Sequence, residues 1–167
     1  MKRVLWLHAI CMAVGLCLPG AGAASAESDF DPMVACNFML EEGLRTRGGY
    51  RQVGNMYECR SQRRNVMGGG PVNNTIRFSA RGNEQRVTQL ELKLMVNAQG
   101  AVQRTHRVLL NHADALFQRA LGVGITSEIE TAILAGTAGQ WRLNGLSVAL
   151  DRVPPGVQRY GLRLRIE

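Results

Sequence analysis

The sequence predicts an α+β fold, a mainly antiparallel sheet of meander-type strands covered by an N-terminal helix and a central helix pair. Three observations predict it. Residues 75–97 alternate in two runs, with Ile76, Phe78 and Ala80 against Arg77, Ser79 and Arg81, then Leu90, Leu92, Leu94 and Val96 against Gln89, Glu91, Lys93 and Asn97. Each run therefore has one dry face and one wet face. A second alternating block closes the chain and contains Asn144-Gly145, the strongest short hairpin signal. Between the blocks lie two stretches with capping residues and apolar stripes at helical spacing. Runs of strands joined by short links favour an antiparallel sheet, because a parallel one needs a crossover between successive strands.

The first 26 residues differ from the rest. Lys2 and Arg3 precede an apolar run from Val4 to Leu18, then Pro19-Gly20 and the small-residue string from Ala21 to Ala26. This is the layout of a secretory signal peptide, and about 15 apolar residues fall short of the roughly 20 that span a bilayer. Cleavage is expected after Ala26, with Ala21-Gly22-Ala23 as a second choice. Residues 27–167 would then form a single domain, periplasmic or secreted, with no integral membrane segment. Cys11 and Cys17 leave with the leader, and Cys36 and Cys59 remain. In an oxidising compartment these two are expected to pair, contributing about 3 kcal/mol in the chain-entropy model.

Taken in order, Asp31-Pro32 starts a helix, with Asp31 as N-cap and Pro32 at the first helical position. Val34, Cys36, Phe38, Met39, Leu40 and Leu44 extend an apolar stripe over roughly three turns, and Gly43 or Gly48-Gly49 ends it. Residues 50–62 turn toward strand, with Tyr57, Cys59 and Ser61 on one face and Glu58 and Arg60 on the other. Met67-Gly68-Gly69-Gly70-Pro71 and Asn73-Asn74 read as a loop. The hairpin of residues 75–97 comes next, linked by Gly82-Asn83-Glu84-Gln85-Arg86. Ala98-Gln99-Gly100 is expected to turn, and Ala101 to Leu109 to add a further strand. Asn111 then caps a helix with Asp114 in the reciprocal position, and Gly122 ends it. Ser127 with Glu130 opens a short second helix that stops at Gly136 or Gly139. Trp141 and Leu143 lead into the Asn144-Gly145 hairpin, Pro154-Pro155-Gly156 makes another turn, and Tyr160, Leu162, Leu164 and Ile166 alternate to the end.

The formal charge of +7 falls to +5 without Lys2 and Arg3, and Lys93 becomes the only lysine beside seventeen arginines. Such a balance draws anionic partners. Arg77 and Arg81 share the polar parity of one strand, Lys93 faces them across the hairpin, Arg163 and Arg165 do likewise on the last strand, and Arg60, Arg63 and Arg64 border the glycine loop. If these rows meet, they line a sheet face suited to phosphate or carboxylate groups. No aromatic interleaves with them as a nucleic-acid stacking platform would require, so no nucleic acid is expected. The glycine loop feeds a strand and lacks the Gly-Lys-Ser/Thr ending of a phosphate loop.

Catalytic patterns are not found: there is no Gly-x-Ser-x-Gly elbow and no His-Glu-x-x-His helix. His106, His112 and Asp114 are spaced loosely, and with His106 on a strand nothing obliges them to converge. No cofactor, metal site or catalytic residue is assigned. The expectation is a small exported non-catalytic binding protein acting on a protein partner or an anionic envelope component. Its binding residues would be Arg60, Arg63, Arg64, Arg77, Arg81, Lys93, Arg163 and Arg165. An inhibitor or immunity-type protein that occludes a partner is one alternative, and a small envelope hydrolase using unrecognised acids or the histidines is another.

Overall fold

The computed structural model describes residues 29–67, 72–156 and 159–167. The leader of residues 1–26 and the glycines of the 68–70 loop lie outside the described residues. Helix α1 (Pro32–Ala35) is followed by strands β1 (Thr46–Val53), β2 (Met56–Ser61), β3 (Arg64–Met67), β4 (Asn74–Gly82) and β5 (Val87–Val96). Helices α2 (Val102–Leu121) and α3 (Ser127–Ala135) come next, then β6 (Gly139–Leu143), β7 (Leu146–Gly156) and β8 (Arg159–Ile166). The strands form one sheet in the order β1-β2-β4-β5-β8-β7-β6, with β3 also beside β4, and every pairing is antiparallel. Among the described residues, no helix is long and apolar enough to cross a membrane.

The alternation read from the sequence sets the two layers. Ile76, Phe78, Ala80, Leu90, Leu92, Leu94, Val96, Leu162, Leu164 and Ile166 are all fully buried on one face, and α2, α3 and the N-terminal turn cover them. Burying each large aliphatic side chain contributes about 2 kcal/mol, so this face holds the layers together. The disulfide Cys36–Cys59, with Cα atoms 5.9 Å apart, fastens the N-terminal turn to β2.

Four expectations about element boundaries are corrected first. The N-terminal helix is shorter than three turns: Asp31 caps it, accepting from Val34 N at 3.0 Å, but past Ala35 the chain runs in turns up to Gly43. Gly48 and Gly49 do not end a helix; both have positive φ within β1, where the register with β2 shifts. Arg64–Met67 pairs with β4, so the expected loop starts later. Pro154, Pro155 and Gly156 belong to the end of β7, across a register shift, and not to a turn.

The largest correction is Ala101 to Leu109, read as a strand. Ala101 ends a 3-10 turn and caps α2, Val102 to Leu109 begin that twenty-residue helix, and Asn111, read as an N-cap, lies exposed in its middle. The inward residues Thr105, His106, Leu109, His112, Ala113, Leu116 and Phe117 keep helical spacing once the two histidines and the threonine count as core. Their polar atoms are satisfied inside. Thr105 Oγ1 donates to Ala101 O at 2.8 Å and accepts from Asn74 Nδ2 at 2.7 Å, and Asn74 Oδ1 accepts from the backbone N–H of Asn97 and Ala98, each at 2.7 Å. Asp114 accepts from Ile125 N at 3.0 Å instead of capping. Gly122, at φ +69°, ends α2 as the sequence predicts. Gly136 ends α3 at φ +66°, and a Cβ there would stand 2.7 Å from His106 Cε1, so only glycine suits both the turn and the neighbour.

Candidate binding face

The helices cover one face of the sheet and leave the other open. Cross-strand register places the polar residues of the open face in rows. One row runs Arg47, Arg60, Ser79, Glu91, Arg165 and Ala149; the next toward the β4 start runs Arg77, Lys93, Arg163 and Asp151. A third row holds Arg51, Glu58, Arg81 and Gln89. Of the eight residues expected to bind, Arg60, Arg77, Arg81, Lys93, Arg163 and Arg165 therefore share one surface, and Arg63 joins them at its rim.

Arg64 does not. It pairs with the buried Ile76, so its side chain leaves on the helix side, where it donates to Glu42 O at 2.6 Å and lies 3.4 Å from His112 Nε2. The cause is a bulge. Arg60 faces Ser79 while Arg64 faces Ile76, so four steps along one strand match three on the other, and the extra residue reverses the parity of β3 relative to β2.

The acids on this face divide it. Glu58 is nearly buried and accepts from Arg60 at 2.6 Å and from Arg81 at 3.2 Å. Burial alone would raise its pKa, but hydrogen bonds and charge from Arg60, then Arg81, hold the carboxyl below its ordinary value. Glu91, 3 % exposed, stands 3.6 Å from both Arg81 and Arg163. Asp151 takes Arg165 at 3.0 Å, and Arg165 also reaches Glu167 at 2.8 Å. Among the described residues, no ion pair includes Arg63, Arg77 or Lys93.

Those three side chains, with Thr75, Met95 and Asn97, line a depression of about 260 Å³. Lys93 sits directly between Arg77 and Arg163 across the strands. Burial, then the charges of Arg163 and Arg77, pushes its ammonium below the ordinary pKa, with only Glu91 acting against them. Burial and Arg60 act on Arg77 in the same direction. Arg163 Nε and Ser79 Oγ are buried without a hydrogen-bond partner. Like charges opposed across strands are destabilising, so this part of the face holds charge that the fold itself does not neutralise. Sequence parity locates the cations; it misses the acids Glu58 and Glu91 as their partners, because a glutamate in a polar row looks the same whether solvated or buried.

The groups that could support hydrolysis lie elsewhere. His106 Nδ1 donates to Leu134 O at 2.9 Å, which leaves Nε2 to accept from the Tyr160 hydroxyl at 2.6 Å. His112 Nδ1 donates to Val108 O at 2.7 Å, so its Nε2 faces Arg64 as an acceptor. Both rings are buried on the helix side and point to different neighbours. Glu41 and Glu42 pair with Arg119 at 2.7 and 3.0 Å. Among the described residues, no three of His, Cys, Asp or Glu gather closely enough to hold a metal ion. Comparison with models of known families, with curated proteins and with solved structures finds no match to this chain, and function must be argued from the chemistry of the face.

Proposed function

We propose that this is an exported, non-catalytic binding protein that uses the open sheet face to capture an anionic envelope component or an acidic surface of a protein partner. One observation carries the reading: Arg63, Arg77 and Lys93 line a depression with no carboxylate in its described lining, and Glu91 is the one acid whose charge acts on Arg77 and Lys93 among the described residues. A face kept only for solubility would interleave both signs, as the Glu58 and Asp151 parts of this one do. Guanidinium forks and an ammonium converging on one spot suit oxyanion recognition. Export is supported by the leader pattern and by the disulfide.

The test is capture from the native cell envelope by the exported protein, followed by a salt titration. A specific partner should be released as salt rises, because screening weakens exposed ion pairs. Arg77→Glu with Lys93→Glu should reduce capture by roughly tenfold or more with no loss of fold by circular dichroism. Capture unchanged by that double substitution would overturn the reading.

A further inference from the structure

A second depression, of about 220 Å³, opens at the break between β2 and β3 and is lined by Gly43, Arg45, Arg47, Gln62, Arg63 and Arg64. It too has no carboxylate in its lining. Arg45, Arg47 and Arg63 make no ion pair among the described residues, while Arg64 is anchored on Glu42 O. The bulge puts Arg63 on the rim of the open face and sends Arg64 through to the other side, so the two depressions meet at one guanidinium, that of Arg63.

From this juxtaposition, and resting on the binding role proposed above, we infer that the ligand carries at least two phosphate-class groups, one seated in each depression and both in reach of Arg63. The inner depression favours a dianion over a carboxylate. Arg63, Arg77 and Lys93 line it, with Arg77 and Lys93 opposed across β4 and β5, where opposed side chains stand about 5 Å apart at Cβ, and a single negative charge leaves most of that repulsion in place. A phosphate group near −2 with three acceptor oxygens answers both the charge and the number of donors. The outer depression repeats the chemistry with guanidinium groups alone. Two linked anions gain over one because the second binds within the same complex.

Inorganic tripolyphosphate, orthophosphate and citrate serve as probes, titrated at constant ionic strength into the exported protein. Lys93 is the only lysine once Lys2 leaves with the leader, so 13C-lysine labelling reports the inner depression directly. Tripolyphosphate should move the Lys93 Cε resonance, raise the Lys93 pKa, and bind roughly 30-fold or more tightly than orthophosphate. Arg63→Gln should shrink that preference to about threefold by uncoupling the two depressions, while Arg86→Gln, which removes an exposed pair with Asp29, should leave it intact. Vesicles containing phosphatidic acid separate the sources: retention on them, competed by tripolyphosphate, assigns the groups to lipid headgroups, and no retention with tripolyphosphate still bound assigns them to a soluble polyanion. Citrate binding as tightly as tripolyphosphate would overturn the phosphate class. An unmoved Lys93 resonance with envelope capture still lost on Arg77→Glu with Lys93→Glu would overturn this inference and leave the binding role standing. Loss of neither would remove both.

Discussion

The open face contains two regions built from the same residue types. Around Glu58, Glu91, Asp151 and Glu167, each arginine that approaches finds a carboxylate. Around Arg63, Arg77 and Lys93, none does among the described residues. The two regions share strands β4 and β5 and have the same helices behind them, so the difference lies in where acids fall in the cross-strand rows. A stable polar face needs only the first arrangement. The second opposes folding, and the anion proposed above would relieve it.

Three consecutive residues of β5 bring the contrast to single positions. Leu92 points into the core and is fully buried; Leu92→Ala should lower stability by about 3 kcal/mol through lost burial and a residual cavity, read as a fall in the urea midpoint. Glu91, one residue earlier, points to the open face. Glu91→Gln should cost about 2 kcal/mol, below the usual figure for breaking a buried pair, because Arg81 and Arg163 remain 26 % and 34 % exposed and keep some hydration. A measured loss no larger than that of an exposed glutamate would mean that Glu91 is not what balances this half of the face.

The helix side supplies a pH-dependent comparison. Burial, and then the neighbouring Arg64 charge, holds His112 below its ordinary pKa of 6.5. The unfolded chain therefore binds the proton first as pH falls, so this contribution to stability is present above pH 6.5 and is lost from there down to the depressed folded value. Thermal melts between pH 7.5 and 5 should show the loss, and His112→Asn should flatten part of it. An identical slope in the variant would show that the folded protein does not hold His112 below its ordinary pKa.

The smallest expected effect has the opposite sign. Lys93→Gln removes a charge opposed by Arg77 and Arg163, and should raise stability by about 0.5 kcal/mol, or roughly 2 °C in Tm, while abolishing anion binding. A stabilising change that destroys binding is the signature of a site maintained against the fold's interest. If Lys93→Gln destabilises, the two regions do not differ in the way their ion pairs indicate.

Much of the architecture is legible in the residues. The 75–97 hairpin, the Asn144-Gly145 turn, with Asn144 at φ 50° and Gly145 at φ 84°, and the second of the two central helices rest on short-range patterns, and the pairing of Cys36 with Cys59 on the two cysteines left once the leader is set aside. The first half of α2 is not legible in the same way, because Thr105, His106 and His112 look like outward residues. They are inward ones with internal partners, and a hydropathy pattern does not register a hydrogen bond made to Asn74, Leu134 or Val108.

What the sequence by itself determined is the parity of each strand, since the two-residue period is local: it separates Leu92 from Lys93 without reference to any other element. What only the tertiary structure decided is which rows share a face and in what register. Lys93 meets Arg163 and Glu91 meets Arg165 across an intervening helix pair and hairpin, and a single extra residue at the β2–β3 break removes Arg64 from the face while leaving Arg63 between two cationic depressions. Register between distant strands is set by long-range packing of the buried side, and the charges on the open side are carried into their positions by it.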